Sequence, residues 1–134
     1  MHPVNEFAAH AAELLSAVGT VVPRRMFGGY GLYCDAVMFA LIADDVLYLK
    51  ADAGNRGEFE RAGCTPFVYG AAAKRIVMSY YRAPDEVLES RDLATPWARS
   101  AFAAALRARA TKRAGRQPGG AASRGTGRRL TRRK

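Results

Sequence analysis

A chain of 134 residues with 49% hydrophobic residues is sized for one domain around a single buried core, with no need of covalent or metal staples. Its formal charge of +9 is unevenly spread: residues 1–106 hold 10 Lys/Arg against 12 Asp/Glu, a balance of −2, whereas residues 107–134 hold 11 basic residues and no acid. The whole-chain value therefore describes neither part: the body is mildly acidic and the tail strongly basic.

In chain order, the apolar residues Phe7, Ala8, Ala11, Leu14, Leu15 and Val18 recur at helical spacing, with Asn5 placed to cap and Gly19 to stop, predicting an amphipathic helix over 5–18. After Pro23, four short β-rich runs (RRMFGG, GLYCD, AVMFALIAD, DVLYLKAD) are broken by Gly28-Gly29, Asp35 and Asp44-Asp45, the pattern of an antiparallel meander. Val37–Ile42 is apolar on both alternating faces and reads as a central strand. Asp52 offers the cap of a short second helix carrying Phe59 and Ala62. PFVYG and RIVMSYY form a further strand pair. Pro84 and Thr95-Pro96 mark two helix starts, because proline suits a first helical turn, and Trp97, Ala101, Ala104 and Ala105 are placed to face the sheet. Strands grouped by tight turns rather than alternating with helices predict an α+β two-layer sandwich: an antiparallel sheet of about five strands packed by helices. The domain is expected to span 1–109. The Gly/Arg-rich segment 110–134 has too few apolar residues to offset its ordering entropy and is expected to be disordered.

No catalytic constellation stands out. The two histidines, His2 and His10, both sit near the N-terminus, and His10 falls on the polar side of the first helix. Asp44-Asp45 and Asp85-Glu86 sit where turns and helix starts use carboxylates locally, and Asp35, Asp44 and Asp52 match no metal-ligand loop. Cys34 and Cys64, 30 positions apart with no second Cys or His beside them, suggest neither a zinc site nor a disulfide framework and read as reduced buried thiols. No cofactor or metal is expected. MHPVNEFAAH has no basic, apolar leader pattern and no segment nears the roughly 18 apolar residues of a membrane span, so a soluble cytoplasmic protein without membrane contact is expected.

The stretch RRMFGGYGLY, residues 24–33, is the densest in special residues. Gly28, Gly29 and Gly31 match neither the phosphate-binding loop G-x-x-x-x-G-K-[ST] nor the dinucleotide fingerprint. GGYG fits the GXXG string of KH domains, but a KH loop joins two helices and this one lies among strands. An RNA-stacking platform built from Tyr30, Tyr33, Tyr48, Tyr80 and Tyr81 would lack the associated RNP pattern. The glycines are explained by conformation, shaping a corner that places Phe27 and Tyr33, while Arg24 and Arg25 are either a solvated edge or part of a partner surface.

These blocks, with Arg25-Met26-Phe27-Gly28, Gly31-Leu32-Tyr33, Met38-Phe39-Ala40, Asp45, Tyr48, Lys50, Pro66-Phe67, Tyr69 and Tyr80 to Pro84 in order, resemble the N-terminal domain of the TfoX/Sxy family of bacterial competence regulators over roughly residues 7–108. The resemblance implies a two-layer α/β domain without known enzymatic chemistry, acting in transcriptional control of DNA uptake, with the cyclic-AMP receptor protein as an expected partner. Longer members continue into a second helical domain, where this sequence runs into its basic segment.

Two functional expectations follow. In the first, the body is a regulatory interaction module, with Arg24, Arg25, Phe27, Gly28, Gly31 and Tyr33 as motif and partner surface. Arg113, Arg116, Arg124, Arg128, Arg129, Arg132, Arg133 and Lys134 then attract DNA or RNA. In the second, the body is a small ligand-binding or enzymatic domain using Cys34, Cys64 or a tyrosine. A homo-oligomer is compatible with either.

Overall fold

The computed structural model describes residues 5–26, 28–69 and 76–116, and its first described residue is Asn5. Its side-chain oxygen accepts the backbone N–H of Ala8 at 2.7 Å, satisfying one of the donors that a helix leaves free at its start. Helix α1 runs from Glu6 to Leu14 and buries Ala8, Ala11, Ala12 and Leu14. It then tightens into a 3-10 turn, Ser16–Val18, and stops at Gly19, whose φ of 135° few other residues tolerate. The single predicted helix is thus two consecutive pieces.

Six strands follow: β1 (Val22–Met26), β2 (Gly29–Cys34), β3 (Val37–Ala43), β4 (Val46–Lys50), β5 (Pro66–Tyr69) and β6 (Ile76–Arg82). All pair antiparallel in the spatial order β1-β2-β3-β4-β6-β5. Two-residue turns close the meander at Asp35-Ala36 (φ 51° and 63°) and Asp44-Asp45 (φ 51° and 59°). Positive φ at both positions gives the turn whose twist matches the flanking strands, and aspartate tolerates it better than most residues. The α+β expectation is the architecture observed, and β3 lies inside the sheet with most of its length buried on both sides.

Leu32, Leu47, Leu49 and Tyr81 alternate onto the face that meets the helices. Helix α3 (Arg91–Arg116) lays Ala94, Ala98, Ala101 and Ala105 against that face. Small side chains let its backbone come close, and Phe102 meets Phe39 edge-on at 5.6 Å. Helix α2 (Arg56–Arg61) inserts Phe59, and a 3-10 turn, Asp85–Leu88, inserts Val87.

Three expected boundaries are corrected. Asp52 does not cap α2. Its carboxylate instead accepts N–H bonds from Gly54 at 2.9 Å and Asn55 at 3.2 Å, making a turn that delays the helix to Arg56. Helix α3 starts at Arg91, not at Pro96. Ser90 Oγ accepts the Leu93 N–H at 3.1 Å, a stronger start signal than the proline, which lies inside the helix. Finally, α3 continues past residue 109 to Arg116, into the segment expected to be disordered. Ala110, Lys112, Arg113 and Ala114 are good helix formers, and cations suit the negative C-terminal end of the helix dipole.

Asn55, 2% exposed, joins these elements and was not singled out from the sequence. Its oxygen accepts the Asp52 N–H at 2.7 Å, and its amide nitrogen donates to Lys50 O at 3.1 Å, Ser100 O at 3.3 Å and Ser100 Oγ at 3.1 Å. Asn55→Ala strands buried backbone groups of β4 and α3, and is expected to lower the unfolding free energy by about 2 kcal/mol. Urea denaturation measures this; a change under about 0.5 kcal/mol, typical of an ordinary surface site, would refute the role.

Candidate functional site

RRMFGGYGLY forms the β1–β2 hairpin. Arg24 pairs with Gly31, Arg25 with Tyr30 and Met26 with Gly29, so the strand alternation sends the two arginines to opposite faces. Arg24 lies over the Tyr33 ring, 5.3 Å from its centroid, while Arg25 lies 6.0 Å from the Tyr30 ring. Tyr30 belongs to the helix side: it is buried and its hydroxyl accepts the Asn5 N–H at 3.2 Å. The structure therefore groups Arg24, Gly31 and Tyr33 on one face, sends Arg25 to the other, and puts Gly28 in the turn with φ 77°. Phe27 lies outside the described residues.

The glycines have different reasons. Gly28 supplies a turn conformation. Gly31 supplies space: a Cβ there would sit 2.7 Å from the sulfurs of both Met26 and Met38 and 3.0 Å from the Tyr33 ring. Gly29, named in the sequence only as part of the turn, has the strictest demand, with its would-be Cβ 1.9 Å from the Ile42 carbonyl oxygen.

The face away from the helices carries Arg24, Tyr33, Met38, Leu41, Tyr48 and Arg82 by register. A groove of about 580 Å³ runs along part of it, lined by Met26, Met38, Leu41, Phe67, Val68 and Met78 among others. Methionines adapt their shape easily and suit surfaces that receive varied partners. Tyr48 packs on Phe67 at 4.7 Å. The five tyrosines do not make one platform: Tyr30 and Tyr81 face the helices, and Tyr80 is 6% exposed. Burial pushes the Tyr80 phenol well up, and the neighbouring Tyr33 adds to it.

The thiols are poorly placed for chemistry. Cys34 is buried and its Sγ–H donates to Val18 O at 3.5 Å. Burial pushes its pKa up and Asp35 pushes it further. Burial also raises Cys64, opposed by Arg82 and assisted by Asp85. A raised pKa depletes the thiolate, which is the reactive form. Cys34 is expected to resist a thiol reagent at neutral pH until the protein is denatured, and Cys64, half-buried rather than buried as expected, to label slowly, as timed absorbance labelling would show; fast labelling of either in the folded protein would restore a thiol site. Among the described residues, no three His, Cys, Asp or Glu side chains converge as a metal ion would require.

At the other end of the molecule Arg107 grips Asp52 through two hydrogen bonds, Nε to Oδ2 at 2.6 Å and Nη2 to Oδ1 at 2.9 Å. The guanidinium holds the Asp52 carboxyl below the usual carboxylate range. Beyond this clasp Arg109 and Lys112 are exposed and make no salt bridge among the described residues. Of the predicted tail residues, Arg113 and Arg116 lie on the backbone of α3. Arg124, Arg128, Arg129, Arg132, Arg133 and Lys134 lie outside the described residues. No described helix is long and apolar enough to cross a membrane.

Several known proteins are similar to this chain in sequence. The chain is 36% identical over 78 residues to the DNA transformation protein TfoX of Haemophilus influenzae, covering 57% of this chain and 36% of that one. It is 25% identical over 100 residues to protein Sxy of Escherichia coli, covering 75% and 48%. It is 31% identical over 64 residues to the DNA transformation protein TfoX1 of Aliivibrio fischeri, covering 48% and 31%. The matches thus span at most about half the length of these relatives. The model of the TfoX N-terminal domain matches residues 13–105, from α1 through the whole sheet to the middle of α3, and the chain belongs to that family.

Proposed function

We propose that this protein is a non-enzymatic regulator of competence for DNA transformation, its body an interaction module and its basic segment a means of attracting nucleic acid. The family match over residues 13–105 carries the reading, because it covers the folded body and two of the relatives are named for DNA transformation. The outward sheet face supports it: Arg24 and Arg82 stand beside an adaptable methionine-lined groove, a surface suited to a protein partner. By family resemblance that partner is a transcription factor of the cyclic-AMP receptor protein type.

Removing and restoring the gene in a transformable host tests the proposal, with competence-gene transcripts and transformant yield as readouts. Both fall on removal and recover on complementation. Unchanged transcripts alongside unchanged yield would overturn it. Met38→Glu places a charge in the groove and is expected to abolish complementation while the purified protein keeps its circular dichroism; full complementation would exclude the groove as the partner surface.

A further inference from the structure

Helix α3 outlasts the body it packs on. The last deeply buried residue among those whose burial is described is Ala105, 4% exposed, and Leu106 is already 42% exposed. Arg107 is pinned to Asp52. From Arg109 to Lys112 all four residues are exposed, a full turn of the helix, and the helical backbone runs on to Arg116. At 1.5 Å per residue, the stretch from Arg109 to Arg116 is an arm of about 12 Å.

The arm is one-sided in sign and in face: at about 100° per residue, positions 109, 112, 113 and 116 fall on one stripe of the helix. Residues 109–116 read RATKRAGR, four cations and no acid, and the helix has no acidic residue after Asp92. Positions four apart repeat the charge, Arg109 with Arg113 and Lys112 with Arg116, a spacing that opposes helix formation unless a polyanion lies alongside. At the root of the arm Lys112 also acts on Lys50, which donates from Nζ to Ser79 Oγ at 2.9 Å. Burial lowers the Lys50 pKa, Asp52 opposes that, and Lys112 lowers it further. Positive charge is thus gathered where the helix leaves the sheet, on a body that is otherwise mildly acidic.

We infer that the C-terminal turns of α3 are a helical arm that lies in the major groove of duplex DNA, with Arg109, Lys112, Arg113 and Arg116 reaching its phosphates. The inference rests on the reading of the basic segment as nucleic-acid binding and gives that segment a shape. A helix of roughly 10–12 Å diameter fits the B-DNA major groove of about 12 Å, whereas the A-form groove of duplex RNA is too narrow and deep to admit one. Bare charge would suit any polyanion. A projecting helix whose cations form a single stripe suits a groove wide enough to take it, with that stripe laid along a wall of phosphates.

Fluorescence anisotropy with a labelled DNA duplex and the full-length protein tests this across a salt series. The helix set (Arg109, Lys112, Arg113 and Arg116 each →Gln) keeps helix-forming side chains, which circular dichroism verifies. It is expected to bind at least tenfold more weakly and to lose about 3 to 4 from the salt slope, near 0.9 per phosphate contact. The tail set (Arg124, Arg128, Arg129, Arg132, Arg133 and Lys134 each →Gln) is expected to keep most of the binding. Ala110→Pro keeps every charge but breaks the arm, and is expected to weaken binding severalfold; duplex RNA of matching sequence is expected to bind more weakly than DNA. If the helix set binds like wild type while the tail set does not, the arm is refuted and the nucleic-acid reading survives through the tail. Wild-type affinity in Ala110→Pro, or equal affinity for duplex RNA, overturns the groove geometry. Absence of wild-type binding at low salt overturns both the arm and the reading beneath it.

Discussion

Gly29→Ala is expected to lower the thermal midpoint by about 10 °C, the equivalent of roughly 3 kcal/mol in a domain of this size. The added methyl would meet the Ile42 carbonyl oxygen at 1.9 Å and the Ile42 carbonyl carbon at 3.0 Å. Both belong to the backbone of the neighbouring β3, so no rotamer change can relieve the contact, and β2 must move away from its partner. Such overpacking costs about 1–3 kcal/mol and more where the obstacle is rigid. Gly28→Ala, in contrast, meets no atom within 4 Å and is strained only by its φ of 77°, so it should cost about 1 kcal/mol. Differential scanning calorimetry of the two variants separates them; equal shifts would show that turn strain, not strand contact, governs this hairpin.

Phe59→Ala is expected to be at least as damaging, at about 3–5 kcal/mol. Phe59 is fully buried and stands between two aromatic rings, 5.4 Å from Tyr81 in a stacked arrangement and 5.2 Å from Trp97. Each neighbour is held at its polar end: the Tyr81 hydroxyl donates to Glu60 Oε2 at 3.1 Å, and the Trp97 indole N–H donates to Glu86 Oε2 at 2.8 Å. The rings are therefore unable to collapse into the vacated volume without giving up those bonds. Removing Phe59 unseats α2 from β6 and α3 together and consumes a large share of the 5–15 kcal/mol that stabilises a typical domain. Equilibrium denaturation measures the loss, and Phe59→Leu should restore more than half of it; a loss below about 1 kcal/mol in Phe59→Ala would show that the aromatic cluster contributes little.

Much of the fold is legible in local chemistry. Asn5 caps α1 as its residue type suggests, Asp44-Asp45 takes the positive φ of a tight hairpin, and the alternating runs become strands within a residue or two of where they were expected. These features rest on interactions between near neighbours, which a sequence displays directly. The motif residues read equally well as a group, and yet the group does not survive folding. Arg24 and Arg25 are adjacent in sequence and part company in the sheet, because successive strand residues point to opposite faces.

Where sequence reasoning failed, a competing contact, local or distant, outweighed the signal that was read. Pro96 suggested a helix start, but Ser90 had already capped the helix. Asp52 suggested a helix cap, but it is committed to its own turn and to Arg107, 55 positions away. Asn55 carries no local signal, and becomes a buried joint only because Ser100 of α3 arrives beside it. The end of α3 follows a related rule: composition predicts disorder from residue 110, whereas a helix already anchored by Ala94 to Ala105 is nucleated and propagates outward to Arg116.

By itself, then, the sequence determined the division of charge between an acidic body and a basic end, the α+β order of elements, the turn chemistry of the meander and membership of the family. All of these depend on composition or on residues close together in the chain. Only the tertiary structure decided which motif residues share a face, why Gly29 and Gly31 must lack a side chain, what buries Asn55, and that the basic segment begins as a helix projecting from the body. Those outcomes depend on which strands and helices come into contact, and contact across many residues is set by packing of the whole core rather than by any local pattern.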